Sequence, residues 1–331
     1  MLTTIILLVV AGLAYANGAN DNFKGVATLF GSGATNYRGA LNWATATTFL
    51  GSMTALVLAG KLLKNFSGRG LVIDSLAAEP NYVAAVALGA GLTVLLATRI
   101  GMPISTTHSL VGALVGAGWA AGSQVNLRKL AADFFGPLLA SPLLAIAATA
   151  ATYFLFQAFA RRLGIVRRNR SQGAVAASEP AAALDRLHFL SAGVVSFARG
   201  LNDTPKMAAL LLLVPYVGGA ASVATVGTAI AIGGLVSARK VAELMSRKIT
   251  QLDHGQGLTA NLITGAVVIA ASNLGLPVST THVSCGALFG IGAVTRQARW
   301  DTILKIFVAW IATLPAAAAL GALGYRLVGG F

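Results

Sequence analysis

Apolar residues run in long blocks with short polar interruptions, roughly at 2–34, 40–60, 82–100, 102–122 and 130–160, and again at 187–214, 217–237, 258–274, 276–294 and 302–328. A helix needs about 20 apolar residues to cross a bilayer. The succession of such blocks predicts an all-α polytopic membrane protein and leaves no room for a soluble domain. Between the fifth and sixth blocks, residues 161–186 hold Arg161, Arg162, Arg167, Arg168, Arg170 and Arg186 against only Glu179 and Asp185, with Ser-Gln-Gly and Ser-Glu-Pro runs among them. That composition predicts a solvated basic linker, so the chain divides into a first transmembrane repeat at 1–160, the linker at 161–186 and a second repeat at 187–331.

Composition sharpens the picture. Of 331 residues, 56% are hydrophobic and 10% charged, with a mean hydropathy of +0.75, whereas a soluble domain carries about 25% charged residues. So little charge could not cover a water-exposed surface. The net charge of +14 belongs to loops held in the cytoplasm; no aromatic-rich basic face suggests nucleic acid. The single Cys285 excludes an intrachain disulfide and a cysteine zinc cluster, and its apolar surroundings give it a packing role. Ala14-Tyr15-Ala16 resembles a signal-peptidase site, but no Lys or Arg precedes Lys24, so the first block reads as a retained helix.

The halves repeat each other in their polar motifs. Asn17-Gly18-Ala19-Asn20-Asp21 returns as Arg199-Gly200-Leu201-Asn202-Asp203, and Lys24 returns as Lys206. Gly101-Met-Pro-Ile-Ser-Thr-Thr-His108 returns as Gly275-Leu-Pro-Val-Ser-Thr-Thr-His282, with Gly112-Ala113-Leu114 matched by Gly286-Ala287-Leu288. If each of the five blocks per half crosses once, the second half enters from the opposite side, which gives two inverted-topology repeats. Placing the linker inside puts both termini outside. It gathers Arg38, Arg99, the linker arginines, Arg239, Lys240, Arg247, Lys248, Arg296 and Arg299 on the cytoplasmic side. Lys61, Lys64, Arg69, Arg128, Lys129 and Arg326 fall on the other.

Asp21 and Asp203 lie inside apolar runs, where a carboxylate costs at least a few kcal/mol, about 3, unless it is paired or coordinated. Gly18 and Gly200 would let the helix unwind beside them and free carbonyls for a cation. Lys24 and Lys206 follow at i+3, on the same helical face; each either neutralises its own aspartate or faces an anion. Arg199 could also face that anion or snorkel to the interface; Asn17 stands in its place in the other copy. Pro103 and Pro277 suit a helix start or a break before one. Ser105, Thr106, Thr107, Ser279, Thr280 and Thr281 then place hydroxyls beside unpaired backbone N–H groups, an arrangement that binds anions. A single copy would serve as a helix cap, but duplication inside the membrane points to a shared oxyanion site. His108 and His282 either bond between helices or relay protons. Asp133 lies close enough to Arg128 and Lys129 for a local ion pair.

A duplicated Gly-x-Asn-Asp motif with a duplicated Pro-x-Ser-Thr-Thr-His motif resembles the PiT family of inorganic phosphate transporters. The resemblance covers 17–33 and 101–118 in one half and 199–214 and 275–292 in the other. It implies an inverted-repeat secondary transporter with discontinuous helices or re-entrant segments, usually a homodimer, that imports phosphate across the plasma membrane with Na+ or H+ and uses no other cofactor. Carried onto this chain, Asn20, Asp21, Asn202 and Asp203 would take part in cation and substrate binding, with sodium possible at Asp21 and Asp203. Ser105, Thr106, Thr107, Ser279, Thr280 and Thr281 would hold phosphate. The family commonly reads Asn-Asp-Val-Ala-Asn, whereas this chain carries Lys24 and Lys206; a fixed ammonium there would replace a sodium ion or pair with the phosphate. Another oxyanion such as sulfate is the nearest alternative, and a passive anion channel a more distant one. No Gly-x-Ser-x-Gly elbow occurs and both Ser105 and His108 are duplicated, so no enzyme is expected.

Overall fold

A computed structural model describes residues 2–162, 179–212 and 217–328. The described residues contain no β-strand beyond an isolated bridge between Arg69 and Val72. They form ten helices of at least 15 residues. In the first half these are α1 (Leu2–Asp21), α2 (Tyr37–Leu58), α3 (Pro80–Arg99), α4 (Thr106–Ala120) and α5 (Gly136–Arg162). In the second they are α6 (Glu179–Leu211), α7 (Gly219–Ser237), α8 (His254–Leu274), α9 (Thr280–Thr295) and α10 (Trp300–Val328). Six are long and apolar enough to cross a membrane by length and composition. Their outer faces carry Leu139, Leu143, Leu155 and Ile311, all exposed, as lipid-facing helices require. Residues 163–178, which include Arg167, Arg168 and Arg170 of the expected linker, lie outside the described residues. Helix α6 already begins at Glu179, ahead of the apolar block that starts at 187.

The halves are interwoven rather than side by side. Helix α1 packs on α7 and α6 packs on α2; α4 packs on α10 and α9 on α5; within each half, α1 lies on α3 and α6 on α8. Every exchange has its counterpart. Gly18 and Gly200 show why. A Cβ on Gly18 would lie 2.0 Å from the Ile230 carbonyl oxygen of α7, and one on Gly200 would lie 2.1 Å from the Thr48 carbonyl oxygen of α2. Only a residue without a side chain permits such helix contact, the usual device for packing without water. The expectation that these glycines unwind their helices is therefore corrected: both sit in continuous helix. The backbone changes course later, at the 3-10 turn Asn22–Gly25 and the short helix Ala27–Gly31, and only in the first half.

The two motif-bearing chains pass each other antiparallel. Asn17 meets Asp203, Asn22 meets Arg199, and Gly25 abuts Ser196. Helices α3 and α4, and likewise α8 and α9, form hairpins whose tips reach this crossing point. Gly101 and Gly275 make the turn in the left-handed conformation, at φ 76° and 77°, which costs glycine little. After a short extended stretch, Ser105 caps α4 by accepting from the His108 N–H at 3.1 Å, and Ser279 caps α9 by accepting from the His282 N–H at 3.2 Å. Apolar clusters flank the tips: one includes Val10, Tyr82, Leu114 and Leu201, the other Phe23, Leu41, Phe289 and Trp310.

Candidate functional site

At the crossing point the repeated polar residues converge, and nearly all are buried. Asn20, Ser105 and Asn202 have no exposed surface, and Asp21, Lys206 and Arg199 retain 1% each. Each lysine pairs with its own aspartate, Lys24 with Asp21 at 2.5 Å and Lys206 with Asp203 at 3.2 Å. Both also reach out of their own motif. Lys24 donates to the Ile104 carbonyl at 3.0 Å and to Thr281 Oγ1 of the opposite half at 2.6 Å. Lys206 donates to the Val278 carbonyl at 2.7 Å and to Thr107 Oγ1 of the opposite half at 2.8 Å. The hairpin tips are tied directly as well, since Thr281 donates to the Ile104 carbonyl at 2.8 Å and Thr107 to the Val278 carbonyl at 3.3 Å. Neither half contains a complete site.

The remaining hydroxyls and amides complete the network. Thr106 donates to Asp21, and Thr280 to Asp203, both at 3.3 Å. Asn20 fixes the first tip: it accepts from the Ile104 N–H at 3.1 Å and donates to Thr98 at 2.9 Å and to the Met102 carbonyl at 3.0 Å. Asn202 donates to the Val278 carbonyl at 3.2 Å and accepts from Ser272 at 3.2 Å. The rings of His108 and His282 lie 4.5 Å apart, and His282 stacks on Trp310 at 3.8 Å. His108 Nδ1 and His282 Nε2 have no protein partner. At the edge of the molecule Lys129 and Asp133 form the expected local pair, at 3.6 Å.

For two site residues the sequence left the role open. Arg199 does not snorkel. It is buried, and its guanidinium donates to Asn17 Oδ1 and Asn22 Oδ1, both at 3.3 Å, while its Nε–H has no partner. Asn17 in turn donates to Asp21 at 3.1 Å, to Thr106 at 3.0 Å and to Asp203 at 3.4 Å. Thus Asn17 and Arg199, which hold matching places in the two motifs, meet each other and span both carboxylates. The clue was that match itself, a cation facing an amide where the repeat is otherwise faithful.

Three side-chain cations (Lys24, Lys206, Arg199) face two carboxylates, so the centre carries one excess positive charge when all are ionised. That favours an anion in a low-dielectric interior. The conformation is closed: the cavity beside Lys24, bounded also by Thr28, Asn261, Thr264 and Ser284, measures about 10 Å³, the scale of one water. Farther out, beyond the short helix Ala27–Gly31, clefts of 440 and 550 Å³ meet at Phe30 and Arg247 and are lined by Arg38, Arg239 and Arg299.

An all-helical bundle with apolar outer faces and a buried polar centre built from two halves defines a multi-pass membrane protein. Residues 17–321 match the phosphate transporter family, and the chain belongs to that family, one of transporters and not of enzymes. A probable low-affinity inorganic phosphate transporter of Rhizobium meliloti is 31% identical, covering 94% of this chain and 92% of its own. One from Bacillus subtilis is 26% identical over 99% and 98%. A solved structure titled "The sodium-dependent phosphate transporter" superposes with a TM-score of 0.85 at 22% identity, covering 100% of this chain and 99% of that one. At that identity the likeness speaks for the fold.

Proposed function

We propose that the chain imports inorganic phosphate across the plasma membrane in symport with a cation, by alternating access around the site at the hairpin tips. The observation that carries this is the exchange of hydroxyls: each lysine–aspartate pair of one half is closed by a threonine of the other. Separating the tips therefore opens the site, and rejoining them occludes it. The antiparallel passage of α1 and α6 supports inverted repeats. If each hairpin returns to the side it came from, three crossings per half remain, still an odd number.

In this mechanism Thr106, Thr107, Thr280 and Thr281, with the capped helix starts at Ser105 and Ser279, supply hydroxyls and N–H groups to the phosphate oxygens. Arg199 contributes the guanidinium donors its two long contacts leave free. Asp21, to which Asn17 and Thr106 donate, and Asp203, to which Asn202 and Thr280 donate, supply the carboxylates that set the charge of the site as the coupled cation travels with the substrate. Moving one negative charge into a cell with a potential of 100 mV costs about 2.3 kcal/mol, so a cotransported cation is needed for accumulation. Phosphate can donate a proton to a carboxylate and sulfate cannot at neutral pH, which favours phosphate at a site with two aspartates. The basic clefts around Arg247 would receive the released anion on the cytoplasmic side.

Uptake of labelled phosphate into proteoliposomes tests this. Concentrative uptake under an imposed cation gradient, resistant to excess sulfate, is expected. Uptake that only equilibrates would indicate a channel, and uptake abolished by sulfate would indicate another oxyanion.

A further inference from the structure

Resting on the phosphate-transport reading, we propose that Lys24 and Lys206 are tethered cations that occupy the two cation positions of the site, so that transport needs no sodium ion. The geometry is that of two cation cages. Around Lys24 Nζ stand Asp21 Oδ1 at 2.5 Å, Thr281 Oγ1 at 2.6 Å, Asn20 Oδ1 at 2.9 Å and the Ile104 carbonyl at 3.0 Å. Around Lys206 Nζ stand the Val278 carbonyl at 2.7 Å, Thr107 Oγ1 at 2.8 Å and Asp203 Oδ1 at 3.2 Å. Every neighbour is an oxygen, and the set (carboxylate, main-chain carbonyl, hydroxyl) is the one hard metal cations take.

The ammonium count decides how the lysines are used. An ammonium has three protons to donate. Lys206 spends one on each of three oxygens, and Lys24 has four oxygens for its three. Neither has a donor left for phosphate while its cage is closed, whereas Arg199 keeps an Nε–H without a partner. The lysines therefore neutralise the aspartates, and the guanidinium is the cation open to the anion. Charge points the same way. The centre holds Asp21, Asp203, Lys24, Lys206 and Arg199, with the neighbouring rings of His108 and His282 beside it. Its one excess positive charge balances a singly charged phosphate without a further metal ion. A sodium ion added to either cage would have to share it with an ammonium, a like-charge contact in a buried site.

The test has two independent arms on the purified full-length protein. In the first, phosphate uptake into proteoliposomes is driven by a pH gradient, acidic outside, with external sodium or choline chloride. Wild-type rates equal within about twofold in the two salts are expected; loss of uptake in choline overturns the proposal. Lys24→Asn and, separately, Lys206→Asn remove the tether and add an amide oxygen. Each should lose about tenfold in choline, because the carboxylate is left buried and unpaired, and recover in sodium. In the second arm, sodium chloride is titrated calorimetrically against a choline control. Wild-type protein should show no sodium-specific heat and each variant should show one; sodium binding to the wild type overturns the proposal. Absence of phosphate uptake under every ion condition would count against the transport reading, and the calorimetric arm would still decide the cages.

Discussion

In the first half the chain leaves α1 at Asp21, passes through the 3-10 turn Asn22–Gly25 and restarts as a short helix at Ala27, whereas in the second half α6 continues through Asp203 and Pro205 to Leu211. The copy that contains the proline is the unbroken one. Yet each copy places its lysine on the aspartate three residues earlier, on the carbonyl of its own hairpin and on the threonine of the other. The contacts differ in closeness. The broken copy brings Lys24 to 2.5 Å from its carboxylate and adds the Asn20 amide oxygen, while Lys206 stays 3.2 Å from its partner with three oxygens in all. The repeat thus secures the charge pattern, and the break in one copy sets how tightly one cation is held.

The largest expected effects test that difference. Asp21→Asn or Asp203→Asn leaves a buried ammonium without its carboxylate, a loss of about 3–5 kcal/mol for a buried pair, and each should abolish phosphate uptake. Thermal unfolding in detergent should show the greater destabilisation for Asp21→Asn, in line with its shorter contact. An equal or larger loss for Asp203→Asn would show that the break does not tighten the first cage.

Next come the glycines, where the two halves should behave alike. Gly18→Val and Gly200→Val each drive a side chain into a carbonyl oxygen of the opposite half, at 2.0 and 2.1 Å from where the Cβ would lie. Overpacking of this kind costs about 1–3 kcal/mol. Similar drops in melting temperature are expected for both. A marked difference would mean that the α1–α7 and α6–α2 contacts are not equivalent, despite their matching sequence positions.

What the sequence made legible was local. Spacing puts an aspartate and a lysine on one helical face and leaves open whether they pair. It also offers Ser105 and Ser279 as caps, a reading that their duplication sets against an oxyanion site, while the repeat itself can be read directly. The exchange of Thr107 and Thr281 between halves cannot, because it depends on where two hairpins distant in sequence come to rest. The glycines misled for a related reason: Gly18 and Gly200 looked like points of freedom beside a charge, and only the partner helices reveal them as points of contact. For Arg199 the sequence leaves open whether it faces an anion or snorkels, because nothing in it shows that the residue in the matching place, Asn17, is the side chain it touches.

That asymmetric pair offers the next test. Arg199→Gln removes the guanidinium donors while keeping an amide able to bond Asn17. If Arg199 faces the substrate, the KM for phosphate should rise about tenfold, as expected for a lost hydrogen bond to a charged group, with kcat within about twofold. Asn17→Ala should act differently, lowering stability through both carboxylates it spans. Matching profiles for the two variants would indicate that Arg199 serves only to position Asn17.

The smallest effects concern the two helix starts. Ser105 and Ser279 make the same cap, to the His108 and His282 N–H groups at 3.1 and 3.2 Å, so Ser105→Ala and Ser279→Ala should each cost about 1 kcal/mol. Uptake discriminates where stability does not. If both helix starts face one phosphate, either substitution should weaken its apparent affinity, because a frayed first turn no longer aims its N–H groups. The Ser105 tip is braced by Asn20 through Ile104 and Met102, whereas Asn202 bonds only the Val278 carbonyl of the second tip. Ser279→Ala should therefore weaken phosphate affinity more than Ser105→Ala. The reverse order would show that the Asn20 contacts do not brace the first tip.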